Sequence, residues 1–172
     1  MQPDPRTDEG VGAVSEDLFG EADVVEQSQR RLVIEADGGS RGNPGPAAYG
    51  ALVRDADTGE VLDSEGQNLG IASNNVAEYS GLIAGLEMVH AIDPGAELEV
   101  RMDSKLVIEQ MAGRWKIKHP DMRELAIRAR RLVPARVTWT WVPRKQNAAA
   151  DALANQAMDG DPRRSTLRSE VV

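Results

Sequence analysis

The sequence predicts an α/β fold in which a mixed sheet carries helices on its faces. Three observations point there. Segments 31–37, 47–56 and 61–70 have strand character and precede any helical periodicity, which marks a hairpin-connected, antiparallel start. From residue 73 onward helical and strand segments alternate, the pattern that adds parallel strands through crossovers. The chain of 172 residues is 41% hydrophobic, enough for one ordinary core, and only 3% aromatic, so Leu, Val, Ile and Ala must fill that core.

Each element has its own signal. RLVIEAD (31–37) is an apolar run that ends on an acid. AAYGALVRDA (47–56) passes through the turn DADTGE into VLDSEGQNLG (61–70), a hairpin. SNNVAEYSGLIAGLEMVHAI (73–92) is a helix capped by Ser73 or Asn74 and stopped by Pro94-Gly95. ELEVRMD (97–103) is a strand, and SKLVIEQMAG (104–113) a short helix closed by Gly113. DMRELAIRARRL (121–132) is helical. ARVTWTWV (135–142) is a strand, with Trp139 and Trp141 on one face and read as packing residues. NAAADALANQAMD (147–159) is the last helix. The order is β-β-β-α-β-α-α-β-α.

The folded domain is expected over 31–158. Residues 1–30 are acidic and punctuated by Pro and Gly, and read as a disordered tail with a small apolar patch at Leu18 and Phe19. Residues 159–172 read as a flexible C-terminal tail. The absence of cysteine excludes disulfides, thiolate zinc sites and Cys nucleophiles, and fits a reducing compartment. No apolar run reaches membrane-span length and no basic-then-apolar leader opens the chain, so a soluble, cytoplasmic monomer without a membrane partner is expected.

The formal charge of −8 argues at first against a nucleic-acid partner. Its distribution is uneven. Residues 101–150 hold twelve basic and four acidic residues, whereas 31–100 hold three basic and twelve acidic ones. A basic half beside an acidic half suits a phosphate-binding surface next to carboxylates that attract cations. Charge alone favours the plainer reading, a solvated surface whose charges cancel after folding.

Four acids stand where acids are costly. Asp37 and Asp103 end apolar strands, and ligands of open α/β sheets gather at the carboxyl ends of strands. Glu78 shares helical spacing with Leu82, Leu86 and Val89, so its carboxylate lies on the face that must bury. Asp151 falls in the first turns of the last helix, among alanines that permit close approach. Taken singly, an acid ending a strand also reads as a turn residue, and Asp151 as a complement to the helix dipole. A buried unpaired carboxylate on a core stripe costs several kcal/mol, so Glu78 carries the most weight. Clustered carboxylates repel one another unless cations sit among them. Oxygen ligands without His or Cys select Mg2+ or Mn2+. Four acids suffice for two ions about 3.5–4 Å apart, the arrangement that supports phosphodiester displacement.

The pieces DGGSRGNPGPAAYG (37–50), SNNVAEY (73–79), MDSKLV (102–107), TWTWV (138–142) and NAAADALANQA (147–157) together resemble the type 1 ribonuclease H family. The resemblance covers roughly 31–158. It implies a ribonuclease H-like five-stranded mixed sheet flanked by helices. It also implies an endoribonuclease that hydrolyses the RNA strand of RNA–DNA hybrids. Asp37, Glu78, Asp103 and Asp151 match the family's catalytic, metal-binding acids. Two Mg2+ ions, with Mn2+ as substitute, are implied, and the products carry 5′-phosphate and 3′-hydroxyl ends. Gly38, Gly39 and Ser40 then leave backbone open for the RNA strand to lie close. Asn43, Asn74 and Asn75 match hybrid-contacting positions, and Asn amides both donate and accept. Ser73 matches a position near the DNA-strand phosphate. Ser104, Trp115, Lys116, Lys118 and Arg144 complete the expected substrate contacts. The same Ser and Asn residues also read as caps and turn formers.

Two departures accompany the resemblance. The segment GRWKIKHP (113–120) is short where many members carry a long basic loop. The loop PRKQN (143–147) lacks a histidine found in many members; Arg144 or Lys145 supplies charge there but no proton shuttle at neutral pH. His90 ends the first helix and reads as a partner of its last carbonyls. The alternative readings are a binding module for RNA–DNA hybrid or double-stranded RNA with weak or no cleavage, and a sugar kinase or ATPase of the wider superfamily. The four acids weigh against the first, and 172 residues leave room for only one of the two lobes the second requires.

Overall fold

The computed structural model describes residues 25–167. Expectations for residues 1–24, the Leu18–Phe19 patch included, and for 168–172 lie outside the described residues. The elements are β1 (Arg31–Ser40), β2 (Gly45–Asp55), β3 (Val61–Ala72), α1 (Asn74–Ile92), β4 (Glu97–Met102), α2 (Lys105–Met111), α3 (Pro120–Leu132), β5 (Val137–Trp141) and α4 (Ala148–Met158), with a 3-10 turn over Arg144–Asn147 leading into α4. The strands form one sheet in the order β3-β2-β1-β4-β5. β1 pairs antiparallel with β2, and β2 with β3. β1 pairs parallel with β4, and β4 with β5. This is the expected five-stranded mixed sheet.

The pleat sorts β1 between two layers. Leu32, Ile34 and Ala36 face α1 and join the apolar core with Leu82, Leu86, Val100, Met102 and Ile108. α3 packs on the outside of α1. Tyr79 is fully buried in this layer, and its hydroxyl donates to Gln110 Oε1 at 2.7 Å. On the opposite face α4 lies against β1, β2 and β3. Its approach is set by missing side chains. A Cβ on Gly50 would stand 2.3 Å from the Ala150 carbonyl oxygen and 2.7 Å from the Ala154 nitrogen. On the α1 side a Cβ on Gly38 would stand 2.2 Å from the Ala77 carbonyl carbon. Both helices therefore touch the sheet through backbone.

Several expectations change. β1 does not end at Asp37. Its pairing with β2 continues to Ser40↔Ala47, so Asp37 lies inside the strand. The parallel ladder with β4 does end there, at Ala36↔Met102. Trp139 packs against the core as expected, but Trp141 is 48% exposed and is no packing residue. α3 begins at Pro120, with His119 as its cap accepting from the Asp121 N–H.

Both expected tails have ordered ends. Ser28 donates from its hydroxyl to Asp93 Oδ2 at 2.6 Å and from its N–H to the Gly95 carbonyl. Arg136 donates to the Ser28 and Gly95 carbonyls. Within the expected C-terminal tail, residues 163–166 lie against β3. Arg163 exchanges backbone hydrogen bonds with Gly66, and Ser165 is buried with its hydroxyl on Asp63. The sequence hides this because the partners are Arg, Ser and Asp, which pair by side chain and not by apolar pattern.

The Gly50 contact yields a stability prediction. Gly50→Ala must push α4 off the sheet, and the expected cost is about 1–3 kcal/mol in urea unfolding. A variant as stable as the parent would show that α4 does not rest on Gly50.

Candidate active site

The carboxyl edge of the parallel strands gathers the acids. Beyond Ala36↔Met102 the chains of β1 and β4 part, β1 staying with β2 and β4 giving way to Ser104 and α2. Asp37 and Asp103 are the first residues on either side of this fork. Glu78 enters from α1, which the Gly38 contact draws onto β1. Oxygens of Asp37, Glu78 and Asp103 all lie within 4.8 Å of one another. Asp151, from the first turn of α4, stands against Asp37 and receives the Asn155 amide at 3.3 Å. The Arg144 guanidinium is 3.9 Å from Asp151 Oδ1.

The electrostatics follow from this crowding. Burial, with the charges of Asp103 and Asp151, raises the Asp37 carboxyl to about 8. Burial, with the charges of Asp37 and Asp103, raises Glu78 to about 9. Glu78 Oε2 is buried without a hydrogen-bond partner. A carboxylate oxygen in that position is costly unless a cation reaches it. The donor set is oxygen alone, which suits a hard divalent ion.

Apart from Asn43 and Ser73, which line neither, the other predicted residues fall in two clefts. The first, about 430 Å³, contains the four acids with Gly38, Gly39, Ser40, Asn74, Asn75, Ser104 and Arg144. Ser40 donates through its N–H and hydroxyl to Asn74 Oδ1 at 2.8 and 2.9 Å, and the Asn74 N–H donates to Asn43 Oδ1 at 3.1 Å. Asn43 and Asn74 thus tie the loop after β1 to the start of α1. Ser73 and Ser104 cap α1 and α2, accepting from the N–H groups of Val76 and Val107. The second cleft, about 590 Å³, holds Trp115, Lys116 and Lys118 and meets the first at Asn75. Trp115 is 45% exposed. Gln110, buried and bonded to Tyr79, donates to the Lys116 carbonyl at 3.3 Å and so fastens this short segment to the core.

Sequence reasoning missed three residues here. Gln110 looks like an ordinary helix residue. Trp141 donates its indole N–H to the Asp103 carbonyl at 3.1 Å, bracing the acid from β5. Asn147 is fully buried; its amide donates to the Ala36 carbonyl and to Asp103 Oδ1, both at 2.8 Å. An Asn four positions before Asp151 was the available signal.

Carboxylates converging at the carboxyl edge of a mixed sheet define an α/β domain with an acidic cluster whose oxygens could hold a metal ion. The family model described as "Reverse transcriptase-like" matches residues 35–157. A bifunctional protein of Mycobacterium tuberculosis is 58% identical over 132 residues, 75% of this chain and 36% of that protein. Ribonuclease HI of Halobacterium salinarum is 48% identical over 126 residues, 72% of this chain and 62% of its own length. The structure of LC11-RNase H1 in complex with RNA/DNA hybrid is similar at a TM-score of 0.71 and 37% identity, covering 74% of this chain and 96% of that one. The chain belongs to the type 1 ribonuclease H family. It spans only about a third of the length of its mycobacterial relative.

Raised carboxyls make stability fall with pH. The folded state holds protons on Asp37 and Glu78 that the unfolded chain releases near pH 4, so unfolding becomes easier as pH climbs toward the folded values. In EDTA the melting temperature should drop by several degrees between about pH 5.5 and 9. Saturating Mg2+ or Mn2+ should restore it, most strongly at the alkaline end. A profile that is flat in EDTA and indifferent to cations would contradict this electrostatic account.

Proposed function

We propose that this protein is a metal-dependent endoribonuclease that hydrolyses the RNA strand of RNA–DNA hybrids, leaving 5′-phosphate and 3′-hydroxyl ends. The observation that carries the reading is the convergence of Asp37, Glu78 and Asp103, with a buried Glu78 oxygen left without a partner. These residues fit divalent cations: the ligand atoms are carboxylate oxygens, and their charge repulsion needs an opposing charge. Asp37, Glu78, Asp103 and Asp151 would hold two Mg2+ ions, with Mn2+ as a substitute. When bound, such ions supply an activated water and stabilise the leaving 3′ oxygen.

The remaining residues place the substrate. The RNA strand lies in the first cleft, against Gly38, Gly39 and Ser40, where Gly39 has no heavy atom within 4 Å of a would-be Cβ. The 2′-hydroxyls mark that strand as RNA. The Asn74 carbonyl oxygen is already engaged by Ser40, so its amide NH2 serves as the donor toward the hybrid. Asn75, shared by both clefts, sits where the two strands straddle α1. The DNA strand runs to the second cleft, where Lys116 and Lys118 meet phosphates and Trp115 offers an aromatic surface. Ser73, the cap of α1, and Asn43, bonded to the Asn74 N–H, contact the hybrid from outside the two clefts. Arg144, 81% exposed and facing Asp151, contributes charge at the scissile phosphate. The protein acts as a monomer in the cytoplasm, and none of its described helices is long and apolar enough to cross a membrane.

The test is cleavage of end-labelled RNA–DNA, RNA–RNA and DNA–DNA duplexes of one sequence, each with Mg2+, Mn2+ or EDTA. Metal-dependent cutting of the hybrid's RNA is expected, and Asp103→Asn should reduce it to background while hybrid binding persists. Binding without cutting under both metals would instead support a hybrid-binding module. The RNA–RNA arm decides whether double-stranded RNA is also a substrate.

A further inference from the structure

Asn147 occupies a position that helix formation does not explain. It is wholly buried immediately before α4, yet its side chain makes no capping hydrogen bond. Both N–H bonds of its amide are used, one on the Ala36 carbonyl and one on Asp103 Oδ1. Its own carbonyl oxygen is buried without a partner. Rotating the amide does not help, because its oxygen would then face two acceptors. The side chain is held in one orientation at the cost of an orphaned acceptor, a sign that something other than stability selects it.

The location indicates what is selected. Ala36 is the last β1 residue in the parallel ladder, and Asp103 is the first residue after β4. Asn147 therefore bridges the two chains just where their backbone pairing stops. Val142 performs a similar task on the far side, donating its N–H to the Met102 carbonyl, and the Trp141 indole holds the Asp103 carbonyl. Of these three residues, Asn147 is the one that donates to the Asp103 carboxylate. With Oδ1 engaged, that side chain is fixed in one rotamer, and its second oxygen is left for a ligand.

We propose that Asn147 is a positioning residue of the cation centre, holding Asp103 so that one defined carboxylate oxygen faces the metal. This rests on the metal-dependent reading above. The same amide couples α4 to β1, so the distance between Asp151 and the other acids is set through Asn147 as well. A purely structural role would give a different signature: lower stability, with cation affinity intact in whatever protein folds.

The experiment separates these by titrating Mg2+ and Mn2+ into the full chain by calorimetry, with melting temperatures in EDTA recorded alongside. Asn147→Ala and Asn147→Ser should weaken cation binding about 10–100-fold. Hybrid affinity in EDTA should be unchanged. In the Asp103→Asn background the same substitutions should have little further effect on cation binding, because the group they position is already lost. In the parent protein the Asn147 side-chain amide resonance should shift as Mg2+ is added, a readout that needs no folded variant. A folded Asn147 variant that binds cations as the parent does would overturn the proposal, whatever its melting temperature; so would an unmoved resonance during Mg2+ saturation. A parent chain that takes up neither cation would overturn the metal reading itself, and this inference with it.

Discussion

The fork between β1 and β4 is the constraint on which the site depends. A parallel ladder must stop somewhere, and here it stops between Ala36 and Met102. Beyond it the two chains owe each other no backbone hydrogen bonds, which opens space at the carboxyl edge. Two carboxylates line the opening, one from each chain, and a third arrives from α1. An uninterrupted ladder would fill that space with backbone. The groups that replace it, the Asn147 amide and the Trp141 indole, are side chains that reach the edge from later elements.

The fork alone would not bring Glu78 and Asp151 to it. α1 and α4 lie on opposite faces of the sheet, and each must come closer than ordinary side chains permit. Gly38 and Gly50, on adjacent strands one pair apart in register, remove the obstruction on either face. The alanines of α4 act in the same way from the helix side. The gain in position carries a cost. Close approach excludes water from Asp37 and Glu78, and that exclusion is the largest cause of their raised carboxyl values. Packing and electrostatics are thus one trade: the contacts that stabilise the helices on the sheet also make charge on the acids costly unless a proton or a cation meets it.

This trade explains which features could be read from the sequence. Acids after apolar strands and an acid on a core stripe are local patterns, so Asp37, Glu78 and Asp103 were legible, as was the order of the strands. The glycine-rich segment was legible as special but not in its cause. It pointed to a nucleic-acid backbone but not to the helices: Gly38 makes a close contact with Ala77, about forty residues away, and Gly50 with Ala150, a hundred residues away, while Gly39 stays open. The length of β1 depended on its antiparallel partner in the same way. Asn147 was hidden among alanines because a helix-start Asn already has an adequate explanation. Trp141 shares its strand face with Trp139, but it is the last residue of β5 and is exposed there, while Trp139, two residues earlier, packs. Local pattern carried the clustered acids; the groups bonded to them, Asn147 and Trp141, depend on contacts distant in sequence.

The net charge of −8 can be reconciled with a nucleic-acid substrate through the same geometry. Many acids outside the site are engaged internally: Glu35 with Arg54, Glu99 with Arg101, Asp57 with Arg31, Asp159 with Arg41, and Asp63 with the C-terminal segment. The second cleft, with Lys116 and Lys118, is lined by no carboxylate. Its local potential, not the sum over the chain, acts on a phosphate at close range. The first cleft is lined by carboxylates instead, and each of them that loses its proton there would repel a phosphodiester drawn to the second cleft. A cation at the acids would remove that repulsion and offer the phosphate oxygens a ligand site. Thermodynamic reciprocity then requires that a bound hybrid strengthen cation binding by the same factor by which the cation strengthens hybrid binding. In such a site the acidic cluster serves as more than a metal holder. It would make productive seating of a hybrid conditional on the ions that carry out the chemistry, while the lysine cleft would keep its hold on the other strand.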